Sequence, residues 1–243
     1  MAAGSAVLAE GHRIAQARLG ANTVNIMRVT LPLLDLANLD ATTARWLRVV
    51  VPILRSQHRL SAQLAAQYMR AARALDLGLT AWTPIVAAAS TEQITTSMTV
   101  TGPVEARKQA ALGRLLPQIR DHVLVSTSGS AMRLTMQGGR DTIMASIAVD
   151  DEATGWARTG SGHSCAFCSM LISRGPVYKA ESVDFRTHDH CSCGSRPVYG
   201  DLNDGWTDQA RDLRDLWDTT TYGRSGTDAV NAFRQAVEGS TAA

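Results

Sequence analysis

Apolar positions recur at steps of three and four along most of this chain, a spacing that predicts a mainly α protein. From Ala2 to about Arg28 the sequence is alanine-rich with few helix breakers. It reads as a first helix that ends at Thr30-Leu31-Pro32, because the residue before a proline avoids helical geometry. Asp40 then stands where an N-cap is expected, ahead of a long helix from Ala41 to about Leu75. Trp46, Val49, Val50, Ile53, Leu54, Leu60, Leu64, Tyr68, Ala71 and Leu75 form its apolar stripe, which predicts core or a helix–helix seam. Pro52 falls inside this pattern and predicts a kink or a split.

After Asp76-Leu77-Gly78 a shorter helix is expected from Trp82 to Thr96, with a boundary at Thr101-Gly102-Pro103. Helical spacing resumes over Val104 to Gln137, interrupted at Pro117 and at Ser128-Gly129-Ser130. Gly138-Gly139 breaks the pattern again before a short helix through Ile147. Gly155-Trp156-Ala157-Arg158 suits a short strand. Beyond Gly200 lies a polar, acidic tail with two amphipathic segments, Trp206 to Trp217 and about Thr227 to Val237. The expected organisation is a helical N-terminal domain over 1–101, a small α+β module over 102–200, and a partly helical acidic tail over 201–243.

Composition narrows the class. The chain has 243 residues, 45% hydrophobic and 19% charged, the profile of a soluble globular protein. No apolar run reaches the length of a membrane span, so no membrane partner is expected. The first twenty residues lack a basic leader followed by an apolar core, so no signal peptide is expected either. The net charge is only +2, but residues 1–120 carry 13 Lys and Arg against 6 Asp and Glu, and residues 121–243 carry 11 against 16. That asymmetry suits a basic first half facing an acidic or nucleic-acid neighbour, or contact between the halves.

The candidate chemistry is concentrated in SCAFCSMLISRGPVYKAESVDFRTHDHCSCGSRPVY, residues 164–199, which holds all 4 cysteines together with His188 and His190. The spacing is C-x2-C-x22-C-x-C. Cysteines two residues apart can approach one tetrahedral ion from a tight turn. Cys191 and Cys193 would share a face of an extended strand, so either both ligate or one does, with His188 or His190 completing a Cys3His set. Disulfides and a metal-free thiol cluster are the competing readings. Phe167, Met170, Leu171, Val177, Tyr178 and Phe185 are expected to form a small core around the cluster. A thioredoxin-type site does not fit, since no βαβ pattern surrounds Cys165 and Cys168. The deaminase signature is absent as well.

The order G-W-A-R, C-A-F-C-S-M-L, S-R-G-P-V-Y, H-D-H-C-S-C and P-V-Y resembles the C-terminal domain of phage minor head proteins of the MuF-like family, in the form found in phages and prophages of actinobacteria. On that family's hallmark, a CxxC followed by a histidine and a C-x-C, the matching metal-ligand positions are Cys165, Cys168, His188, Cys191 and Cys193. Asp189 stands where the family commonly has proline, which leaves the choice between His188 and His190 open.

The resemblance implies a minor capsid protein acting in head morphogenesis or DNA packaging. Such a protein is made in the bacterial host cytoplasm and resides in the virion head. It would dock on the portal or the major capsid protein, with structural zinc and no enzymatic activity. One alternative is a metal-dependent nuclease or hydrolase built on His188-Asp189-His190, with Asp189 or Glu181 as general base. Another is non-specific DNA contact through Arg13, Arg18, Arg28, Arg45, Arg48, Arg55, Arg59, Arg70 and Arg73, which lie at scattered helical positions in the sequence.

Overall fold

The computed structural model describes residues 3–78, 81–161, 164–178, 185 and 187–240. The protein is mainly α, with one small antiparallel sheet. Helix α1 (Ala3–Thr30) runs into a 3-10 turn at Leu31–Leu33, as the proline there requires. Helix α2 (Leu39–Leu77) begins after Asn38, two residues earlier than an Asp40 cap would place it, and Asp40 lies in its first turn paired with Arg107. It ends at Gly78, whose left-handed backbone (φ 69°) lets its N–H reach Ala74 O at 2.9 Å.

Pro52 does not split α2. Pro52 and Arg48, whose carbonyl it leaves without an intrahelical donor, both face solvent, so water can take that bond.

Residues 81–90 form no regular secondary structure, and only Thr91–Thr99 forms α3, capped by the Ser90 side chain on Gln93 N–H. Residues of this segment pair with side chains of a later helix. Ile85 N–H donates to Ser146 Oγ and Ala87 N–H to Thr142 Oγ1, both at 3.0 Å. These bonds to hydroxyls supply the partners a helix would otherwise have provided.

Thr101-Gly102-Pro103 is not a boundary. Val100–Val104 forms a π-helical turn that carries α3 into α4 (Glu105–Ala111). Gly102 fits beneath the indole of Trp46, where a Cβ would come within 2.8 Å of two ring carbons.

Helix α5 (Leu116–Ile147) is unbroken through Ser128-Gly129-Ser130 and Gly138-Gly139. Pro117 sits in its first turn, where no N–H is needed. The small residues are not breakers; they let neighbours come close. A Cβ on Gly138 would lie 2.2 Å from the backbone oxygen of His58 on α2. Gly139 N–H lies 2.9 Å from Ser61 Oγ, and Ser61 Oγ in turn donates to Gln16 Oε1 of α1 at 2.7 Å.

This approach explains why the apolar stripe predicted for α2 drifts. Leu60 and Leu75 are exposed, while Ser61, Ala62, Ala65 and Ala66 are buried. Only short side chains fit between the two helices there.

α1, α2 and α5 therefore share one core that draws on residues either side of position 101. Its first cluster includes Met27, Leu34, Trp46, Val50, Leu54, Ile94, Met98 and Val123. A second continues along α2 and α5 through Met69, Ile143 and Ile147 to Trp156, Phe185 and three cysteines.

Strand β1 (Ala153–Thr159) pairs antiparallel with β2 (Gly194–Tyr199), Trp156 opposite Pro197 and Thr159 opposite Gly194. Between the strands lies α6 (Ala166–Ile172). The tail folds back as α7 (Asp208–Thr221) and α8 (Gly226–Ser240), joined by Trp217 against Phe233 and packed on α6. Among the described residues no helix is long and apolar enough to cross a membrane.

The α2–α5 contact makes a direct prediction. Gly138→Ala should lower stability by about 3 kcal/mol, roughly a 10 °C fall in melting temperature, because backbone opposes the new methyl. Gly11→Ala, with nothing within 4 Å, should leave stability unchanged or raise it by up to about 1 kcal/mol. Thermal melts followed by circular dichroism measure both.

Candidate metal centre

The C-x2-C pair is placed by α6. Cys165 is the helix N-cap, and its Sγ accepts from Cys168 N–H at 3.4 Å. One helical turn therefore presents both sulfurs to the same side, the exposed Cys165 at the rim and Cys168 inside. The C-x-C pair enters from the other direction, directly ahead of β2, and both of its sulfurs are buried.

Cys168 Sγ lies 3.6 Å from Cys191 Sγ and 3.4 Å from Cys193 Sγ, and those two are 2.8 Å apart. All four thiols are free. His188 Nε2 lies 3.0 Å from Cys165 Sγ and 3.8 Å from Cys168 Sγ. Cys165, Cys168 and His188 thus form one group of donors, Cys168, Cys191 and Cys193 a second, and Cys168 belongs to both.

The two histidines part company here. His188 Nδ1 lies 2.7 Å from the carbonyl of Asp189, an arrangement that keeps the proton on Nδ1 and leaves Nε2 facing the sulfurs. His190 turns away. Its backbone is left-handed (φ 62°), its N–H lies 3.4 Å from the Gly129 carbonyl, and its ring lies over Gly129 of α5. A Cβ at position 129 would come within 2.5 Å of His190 Nε2, so a larger residue there would displace the His190 ring.

Asp189, one of the candidate general bases, directs its carboxylate to Arg133 at 2.8 Å instead of toward the thiols. Glu181, the other, lies outside the described residues.

Two buried arginines that sequence reasoning missed hold the loop from behind. Arg140 of α5 donates through Nε to Cys193 O at 3.0 Å and through Nη2 to Cys191 O at 2.7 Å. Arg158 of β1 directs Nη1 at Cys193 Sγ, 3.0 Å away. Phe185 stands against both guanidinium groups, 3.9 Å from that of Arg158 and 5.5 Å from that of Arg140. Trp156 stacks on Tyr178 at 4.2 Å beside it. No local pattern marks Arg140, which is 51 residues distant from Cys191 in sequence.

The surrounding core also differs from the expected one. Phe167 and Val177 are exposed, whereas Trp156 and Ile172 are buried with Phe185.

The thiols titrate as a group. Proton sharing with Cys191 and Cys193 pushes Cys168 up, and hydrogen bonds from Cys168 and Cys193 hold Cys191 down. Burial pushes Cys165 up, but the N–H of Cys168 and the imidazole of His188 outweigh it and hold the thiol below its usual range. Three sulfurs this close cannot all be anionic without a cation among them.

The donor set fits a soft tetrahedral cation. Bonds of about 2.3 Å to such an ion place sulfurs roughly 3.7 Å apart, near the spacing of Cys168 from its two partners. The 2.8 Å pair is far longer than a disulfide bond of about 2.0 Å.

The family described as VG15 protein matches residues 5–220, which takes in the helical core, the cluster and most of α7. The chain belongs to the VG15 protein family. This is a viral gene protein family, and membership points to a phage-encoded protein. No curated protein and no solved structure matches the chain.

In this VG15 protein the burial of the cluster predicts uneven thiol chemistry. Under native, reducing conditions with chelator present, Cys165 should react with a thiol reagent within minutes. Cys168, Cys191 and Cys193, at 3%, 2% and 1% exposure, should react only as the protein opens. Arg140→Met should expose Cys191 and Cys193 to labelling first. Peptide mass spectrometry of timed alkylation reads the order.

Proposed function

We propose that this VG15 protein is a minor head protein of a tailed bacteriophage, in which a structural zinc ion fastens the cysteine loops to a helical body that docks on the portal or the major capsid protein. The observation that carries this reading is the burial of the sulfur cluster against α5. Two groups of three donors meet at Cys168, and an ion that drew its four ligands from both would leave no position for water or substrate. A centre closed in this way holds structure together and does not perform catalysis.

Cys165, Cys168, His188 and one sulfur of the C-x-C pair would bind the ion. Arg158, beside Cys193 Sγ, and Arg140, on the carbonyls of the loop, would offset the charge of the thiolates, and the other sulfur would stay protonated. The motif order, which resembles that of MuF-like proteins, supports a place of action inside the head near the portal.

Two measurements test this. Protein purified under reducing conditions should contain about one zinc per chain by elemental analysis. His188→Ala should lose zinc far more readily in a chelator competition, by about tenfold or more in affinity, whereas His190→Ala should retain it. Equal loss in both variants would overturn the ligand assignment. Mass spectrometry of purified particles should find the protein at low copy number, and its absence from finished heads would overturn the head reading.

A further inference from the structure

Of the nine arginines on α1 and α2, the fold itself uses several. Arg73 is buried in an ion pair with Asp150 at 3.1 Å, Arg13 pairs with Glu10, and Arg28 reaches Asn25. Five others behave differently. Positions 45, 48, 52, 55, 59, 63, 67 and 70 follow one another at steps of three and four along α2, and every one is exposed. They are therefore one continuous outer face of the helix, opposite the face that packs on α1 and α5.

Arginine occupies five of these positions (Arg45, Arg48, Arg55, Arg59 and Arg70), and the rest are Pro52, Gln63 and Gln67. Between Ala41 and Leu75 there is no Asp or Glu at all. None of the five arginines makes an ion pair or a side-chain hydrogen bond among the described residues. What looks scattered in the sequence is a single acid-free row on a long helix.

We infer that this face of α2 binds double-stranded DNA through its phosphates, without reading sequence. From Arg45 to Arg70 the row spans about 37 Å at 1.5 Å per residue, close to one turn of B-DNA, which measures roughly 34–36 Å. Guanidinium groups spaced along that length meet a backbone that carries one charge per about 1.7 Å of duplex axis. Gln63 and Gln67 add neutral donors without repelling phosphate. A single strand would need aromatic platforms for its bases. The aromatic side chains of α2, Trp46 and Tyr68, are buried on the other side, at 0% and 6% exposure. The inference rests on the charges of α2 alone and does not depend on the head role.

The test is fluorescence anisotropy of a labelled duplex of about 30 base pairs, titrated at salt concentrations from about 50 to 200 mM. Five phosphate contacts predict a slope of log K against log salt near −4.5. Arg48→Gln/Arg55→Gln/Arg59→Gln should bring the slope to about −1.8 and weaken binding by more than about tenfold, with an unchanged melting temperature because all three sites are exposed. Arg211→Gln/Arg214→Gln, on the exposed side of α7, should leave both slope and affinity as they are. The inference is overturned if the α2 triple variant keeps the wild-type slope, if the wild type does not bind duplex at the lowest salt, or if a single strand of the same length binds more tightly. Loss of the protein from particles would leave the slope untouched, so the two readings fail separately.

Discussion

The close approach of α2 to α5 is the contact on which the rest of the molecule depends. Gly138 allows the helices to meet with the backbone oxygen of His58 where a side chain would otherwise be, and Gly139 brings Ser61 and Gln16 into the same junction. The next residue on the same helix, Arg140, is directed away from that junction to the carbonyls of Cys191 and Cys193. Two turns earlier Gly129 accepts the His190 loop. A buried guanidinium on a rigid helix costs desolvation, which burial of Arg140 shows in a lowered pKa, and its hydrogen bonds to two carbonyls offset that cost. The helical body and the cysteine loops are therefore two faces of a single helix's surface.

The same contacts tie the cysteine loops into the helical body. The cysteine loops do lack an independent core, but much of what they lack is supplied by α2 and α5. Trp156, Phe185, Cys168, Cys191 and Cys193 pack in the same cluster as Met69, Ile143 and Ile147. An ion pair between Arg73 and Asp150, which also accepts from Tyr199 Oη at 3.4 Å, joins α2 to the end of β2. A metal would tighten a site that already has a scaffold.

How much of this could be read from the chain depends on which residues carry the signal. The long amphipathic helices were legible because Trp46, Val50 and Leu54 repeat at helical steps, and Trp217 and Phe233 mark the tail helices in the same way. The cluster was legible because cysteine is rare here and its spacing is short. The continuity of α5 was not, because its contacts are made by glycine, serine and threonine, the residues that also punctuate loops. Residues 81–90 misled in the opposite direction: Ile85, Val86 and the alanines after them look helical, yet their backbone is satisfied by Ser146 and Thr142 more than fifty positions away. The partition between His188 and His190 depends on a left-handed backbone at His190, and no spacing rule announces that in a residue other than glycine.

The tail helices close on α6, and α6 is the turn that carries Cys165 and Cys168. Mechanical load applied to the C-terminal hairpin would thus reach the sulfurs before it reached the three-helix core. A pull at that end strains the clasp first, and the long helices would keep their shape while it gave way.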